Sequence, residues 1–287
     1  MKGVRELHYA MGTLLDVALF GIPEAHGRFL LRRCAEDVRR LEGLLSAHDP
    51  VSALSRLNRQ AGRGAVRVPR PLWTLLKRCA RLQRRTGGTF DVAVGGVLRQ
   101  GSAGVPRPAF SLPAPGWVAL APGACLDLGG IGKGYAVDRV VARLRRGGVR
   151  CAFVNFGDSS LYALGRPPGG ERWPIAVRGR QEGAWLGLLW MGEGALATSC
   201  TLGRELAPGI GHVVDPRRGQ PLRQWRQSTV LAPTATLAEA LSTAVLVYGR
   251  RWRRLLKRFR GVEVLYVGPR GVPCCTPGLR RFWQESV

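Results

Sequence analysis

Lysine is nearly missing from this strongly basic chain: of its 44 basic residues only Lys2, Lys77, Lys133 and Lys257 are lysines. Such a bias toward arginine accounts for much of the formal charge of +25. The charge will steer anions inward and favour polyanions at low salt, but no recognised nucleic-acid-binding module accompanies it, so no specific nucleic acid is expected. Carboxylates are scarce at 19, and the only histidines are His8, His26, His48 and His212, which leaves a short list of candidate bases and metal ligands. No apolar run is long enough to span a membrane. The stretch 14–22 is short and interrupted by Asp16, and residues 1–10 hold neither an apolar targeting core nor a lipid-attachment cysteine. The seven cysteines are odd in number and scattered, and adjacent Cys274-Cys275 is no zinc signature. A reduced, cytoplasmic protein is the expectation.

What is present is enough apolar sequence, 45% of 287 residues, to bury a sizeable core, with no internal repeat. Periodicity predicts strands near 14–20, 151–155, 173–177, 185–189 and 262–267, and helices over 28–45, 71–86, 135–146, 236–248 and 252–258. Residues 99–122, rich in Gly, Ser, Pro and Ala, read as an internal loop, and 166–172 as a second. Strands and helices interleave without strict β-α-β repetition. That predicts an α+β fold, a single compact domain over 1–287 with mixed β-sheet flanked by helices. The basic run 250–260 reads as an amphipathic helix burying Trp252, Leu255, Leu256 and Phe259, with weak contact to anionic membrane or to nucleic acid as its alternative use.

Two segments carry most of the chemistry. The first, Leu126-Asp127-Leu128-Gly129-Gly130-Ile131-Gly132-Lys133-Gly134, reads as a short strand, a glycine turn and a helix start. This combination brings backbone N–H groups and the positive end of a helix to one point, where a phosphate can sit. The glycines do not follow G-x-G-x-x-G, and Lys133 is not followed by Ser or Thr, so a tight strand-to-helix connection would look the same. In the second segment, Glu239 and Thr243 lie four residues apart on one helix face among Ala238, Ala240, Leu241, Ala244 and Val245. A carboxylate in such surroundings needs a partner. A hard cation such as Mg²⁺ is one candidate; an arginine ion pair or an exposed helix edge are the others.

Along 9–249 the chain resembles the FAD:protein FMN transferase family, also called ApbE. The resemblance runs through Met11-Gly12-Thr13, Ser52-Ala53-Leu54-Ser55-Arg56-Leu57-Asn58, Thr86-Gly87-Gly88-Thr89-Phe90-Asp91, the Asp127–Gly134 loop, Asn155-Phe156-Gly157-Asp158, Ala197-Thr198-Ser199, His212-Val213-Val214-Asp215-Pro216 and the Glu239/Thr243 helix. Each piece is weak, whereas their order and spacing together are specific. The resemblance implies an enzyme that takes FAD as substrate with Mg²⁺ and transfers FMN to a threonine hydroxyl of an acceptor flavoprotein, releasing AMP. Met11, Thr89, Phe90, Asp91, Asp127, Lys133 and His212 fall on flavin-nucleotide positions. Gly130, through its carbonyl, with Glu239 and Thr243, falls on the metal positions; His212 is the candidate base and Lys133 the candidate cation for the phosphates. Taken alone, Met11 would be a core residue, Thr89, Phe90 and Asp91 turn, packing or capping positions, Asp127 an arginine partner, and His212 structural.

Three departures bear on the activity. Glu239 stands where the family usually has Asp, Phe156 where it usually has Gly, and Cys200 where Gly follows the Ala197-Thr198-Ser199 run. The longer side chain moves the carboxylate by roughly 1.5 Å, and Phe156 is expected to narrow the pocket or to restrict the backbone. A flavin-binding relative that does not transfer FMN or that hydrolyses FAD is therefore the alternative function, and a basic nucleic-acid-binding protein the second. Oligomeric state is not legible.

Overall fold

The computed structural model describes residues 3–100, 104–181, 183–201, 205–207 and 210–285. An eight-stranded sheet runs in the order Gly3–Ala10, Thr13–Phe20, Cys151–Phe156, Ser160–Leu164, Gly194–Cys200, Gln227–Ala232, Glu263–Val267, Pro273–Cys275. Every pairing in it is antiparallel. Alternation along the strands assigns its two faces. Ala152, Val154, Phe156, Tyr162 and Leu164 join the main core beneath the helices Glu24–Leu45, Gly132–Arg146 and Ala235–Tyr248. Leu161 and Ala163 face the other way, into a second core closed by the small sheet Trp173–Arg178, Trp185–Met191 and Trp283–Glu285. The fold is α+β, as expected, and no helix among the described residues is long and apolar enough to cross a membrane.

Element boundaries depart from the sequence pattern in informative places. The first long helix starts at Glu24 rather than 28. Pro23 at its N-cap and the acid after it favour initiation there, although the exposed first turn carries no apolar stripe. The helix expected from 135 begins at Gly132 and so takes in Lys133 and Gly134. No strand precedes it: 124–128 form no regular element, because the Leu126 backbone bonds side-on to Asn58 instead of to a neighbouring strand. The span 252–258 is broken into a 3₁₀ turn, Gly249–Arg251, and one helical turn, Arg253–Leu256; Trp252, Leu255 and Phe259 are buried as expected, while Leu256 at the end of the short turn is only partly buried. The loop expected at 99–122 contains the strands Phe110–Ser111 and Trp117–Leu120, which form a three-stranded sheet with Ala65–Arg67; residues 101–103 lie outside the described residues.

Candidate active site

A cleft of about 1210 Å³ opens between the outer face of the main sheet, the small sheet and the N-terminal ends of two helices. The helix Gly132–Arg146 brings Lys133 to it, and Ala235–Tyr248 brings Glu239 and Thr243. Lys133 Nζ lies 2.9 Å from Glu239 Oε1, with side chains only 18% and 5% exposed. The other carboxylate oxygen of Glu239 accepts from Gly134 N–H at 2.5 Å. The buried carboxylate thus has its partner, a lysine rather than an arginine, and it does not lie on an exposed helix edge. Gly134 makes this approach possible: a Cβ there would sit 2.3 Å from Ala235 O and 3.0 Å from Glu239 Oε2.

The glutamate helix is fixed to the sheet by serines. Ser199 and Ser242 share a 2.6 Å hydroxyl bond, Ser242 Oγ donates to Glu239 O, and Ser228 Oγ donates to Ser242 O. One turn beyond Glu239, Thr243 lines the cleft, and its Oγ1 would be 3.4 Å from a Cβ at Gly130. A buried carboxylate, a hydroxyl and the Gly130 backbone therefore converge, an all-oxygen donor set suited to a hard divalent ion. No cluster of three or more His, Cys, Asp or Glu forms among the described residues.

The opposite wall is the turn after the helix Arg70–Arg85. Gly87 and Gly88 take φ of 62° and 74°, a left-handed path that suits glycine. Thr86 then receives Phe90 N–H on its hydroxyl and Thr89 Oγ1–H on its carbonyl. Thr89, Phe90 and Asp91 are buried at the cleft wall. Asp91 is held by Gln83 Nε2 and Ala93 N–H, so it is a turn-forming residue as well as a wall residue. Asp127 closes a small turn by accepting from Gly129 N–H at 2.7 Å and makes no arginine ion pair among the described residues. Asn58 grips the preceding residue at both backbone atoms, Nδ2 to Leu126 O at 2.9 Å and Leu126 N to Oδ1 at 2.8 Å.

His212 lies at the cleft in a bend between the short strands Ile210–Gly211 and Val214–Asp215. Gly211 is pressed against Thr201, whose carbonyl a Cβ would meet at 2.1 Å. The turn beyond is locked by Arg217, which bonds Asp215 through its backbone N–H, Nε and Nη2. Of the flavin-nucleotide positions the resemblance supplies, only Met11 is absent from the cleft lining. It sits in the first hairpin turn with φ 48° and its N–H on Glu42 Oε1.

Phe156 does not narrow the pocket: its ring is fully buried in the core beneath the helices, while its strand neighbours Phe153 and Asn155 line the cleft. Cys200 does line it. Sequence reasoning missed Arg178, Arg180, Trp185 and Trp225 in the lining, since they come from a hairpin and a loop without a motif. It also missed Asp138, one turn after Gly134, whose carboxylate accepts from Ala235 N–H and Thr236 N–H. Burial pushes its carboxyl up, opposed by these hydrogen bonds and by Arg78. An isolated acid on an otherwise buried helix face was the available signal.

A model of the ApbE family matches residues 11–266. The chain belongs to the ApbE family. Among ApbE relatives, the FAD:protein FMN transferase of Rhodobacter capsulatus is 30% identical over 304 residues, covering 96% of this chain but 58% of that protein. That of Treponema pallidum is 30% identical over 301 residues, covering 90% and 83%. The crystal structure of the ApbE protein from Thermotoga maritima superposes with a TM-score of 0.88 at 24% identity over 99% of this chain and all of that one. The flavin transferase ApbE from Vibrio cholerae gives 0.85 at 21% over 98% and 99%. These two structures share the fold of this chain.

Proposed function

We propose that this chain is an FAD:protein FMN transferase that moves FMN from FAD onto a threonine hydroxyl of an acceptor flavoprotein and releases AMP. The observation that carries the proposal is the Lys133–Glu239 pair beside Gly130 and Thr243 at the cleft, in a chain of the ApbE family whose relatives bear that name. The threonine Oγ attacks the phosphorus carrying riboflavin. A new P–O bond forms, the bridging P–O bond of the diphosphate breaks, and AMP departs with that oxygen. A ring nitrogen of His212 takes the threonine proton. Lys133 sets positive charge against the phosphate oxygens as negative charge builds there, and the hydrogen-bonded Thr89–Asp91 wall holds the nucleotide in register.

Glu239, Thr243 and the Gly130 carbonyl would hold Mg²⁺, which supplies further neutralisation of the diphosphate when bound. The cytoplasmic reading is tested by cell fractionation.

Product accounting separates transfer from hydrolysis. With FAD, Mg²⁺ and an acceptor fragment, transfer yields AMP in step with protein-bound FMN and leaves little free FMN. AMP matched instead by free FMN would assign the chain to the hydrolytic reading.

A further inference from the structure

Positive charge is not spread evenly over the surface. The helix Arg70–Arg85 carries six basic residues and no acidic one, and residues 249–260 carry seven and none. All of them are exposed, and none makes an ion pair among the described residues. Arginine bias alone does not produce this. The helix Glu24–Leu45, with five arginines of its own, interleaves acids and forms Arg28–Glu24 and Arg33–Glu36 pairs, with Asp37 reaching Arg143. The two basic segments also lie against each other: Arg85 and Arg258 each donate to the other's carbonyl, and the Arg85 guanidinium stacks 4.1 Å over Phe259.

This surface leads to the cleft. A Cβ at Gly87 would lie 3.6 Å from Arg258 Nη1, and one at Gly88 would lie 3.9 Å from Arg107 Nη1. The next three residues, Thr89, Phe90 and Asp91, line the cleft. No large exposed apolar side chain lies in either segment, since Trp252, Leu255 and Phe259 are turned into the core. The patch therefore offers charge without a membrane-inserting group, next to the site where a macromolecular substrate must arrive. Resting on the transferase reading, we propose that it docks an acidic segment of the acceptor protein close to the target threonine. Like-charge repulsion among unpaired guanidinium groups is relieved on docking, and complementary charge speeds encounter and selects the partner.

The test uses the whole chain and two acceptor fragments, one with a run of glutamates beside the target threonine and a twin with glutamines. Affinity is read by fluorescence anisotropy, independently of transfer. In the Arg84→Glu, Arg254→Glu, Lys257→Glu variant, and more mildly in its Gln counterpart, the Kd for the glutamate fragment rises roughly tenfold at low salt. The gap closes at high salt, while FAD affinity is unchanged. The glutamine twin shows little response, and a control reversal at Arg63, Arg67 and Arg270 has a much smaller effect. Equal weakening by the control, or no weakening, overturns the proposal. So does loss of single-stranded RNA or phosphatidylserine-vesicle binding in the variant while the acceptor still binds as to the unmodified chain. Binding without transfer would overturn the transferase reading and leave the docking surface standing; transfer with an unchanged Kd would do the reverse.

Discussion

Asp138 and Glu239 cap each other's helices. Asp138, on Gly132–Arg146, accepts from Ala235 N–H at 2.7 Å and Thr236 N–H at 3.0 Å, the first turn of Ala235–Tyr248. Glu239, on that second helix, accepts from Gly134 N–H in the first turn of the other. Each carboxylate thus satisfies amides that a helix start leaves without partners and sits at the positive end of a helix dipole. The antiparallel pair fixes the relative position of Lys133 and Glu239.

Asp138→Asn keeps one acceptor and loses the other. The expected cost is about 1–2 kcal/mol, a fall in Tm of roughly 2–8 °C for a chain of this size, measured by calorimetry.

Glu239→Ala removes the carboxylate proposed to hold Mg²⁺, and it also strands the Gly134 amide and the partly buried Lys133 ammonium. It is expected to abolish transfer and lower Tm together. Glu239→Gln retains an acceptor for Gly134 N–H while losing the charge, so it is expected to abolish transfer with a smaller drop in Tm. Equal Tm values for the two variants would remove the capping role.

Gly134→Ala drives a methyl into Ala235 O. Separating the helices is expected to cost roughly 1–3 kcal/mol and to weaken transfer, because Lys133 and Glu239 move apart; Tm and initial rate report the two effects.

Phe156→Gly, which restores the residue usual in the family, is expected to cost about 4 kcal/mol by emptying a core position, with no gain in FAD affinity. Denaturant unfolding and FAD titration check this. A tighter FAD site would show that the ring restricts the cleft.

His212→Asn is expected to lower kcat by about 10²–10⁴-fold with little change in the KM for FAD, as read by steady-state kinetics.

Much of the site was legible because its residues sit in short motifs whose order along the chain is distinctive. Lys133, Glu239, Thr243, Gly130 and His212 all reach one cleft. The α+β class followed from period-2 and helical patterns in the longer elements. Elements that leave no such pattern were missed. The strand Ser160–Leu164 is buried at every position, so it does not alternate. In Gly194–Cys200 and Gln227–Ala232, small and hydroxylated side chains take the positions that bind the glutamate helix. The Lys133–Glu239 partnership and the Asp138 cap join residues about a hundred positions apart, and only the packing of two helices reveals them. The effect of Phe156 was misjudged because a strand residue's face depends on which side of the sheet the helices cover.

The central claim is transfer itself, and one measurement addresses it. The purified chain is incubated with FAD, Mg²⁺ and a flavoprotein fragment bearing a target threonine, with and without EDTA, and the fragment is weighed by mass spectrometry. The account predicts a covalent FMN adduct on the threonine that EDTA prevents. An unmodified fragment, under conditions in which an ApbE-family transferase labels it, would contradict the account.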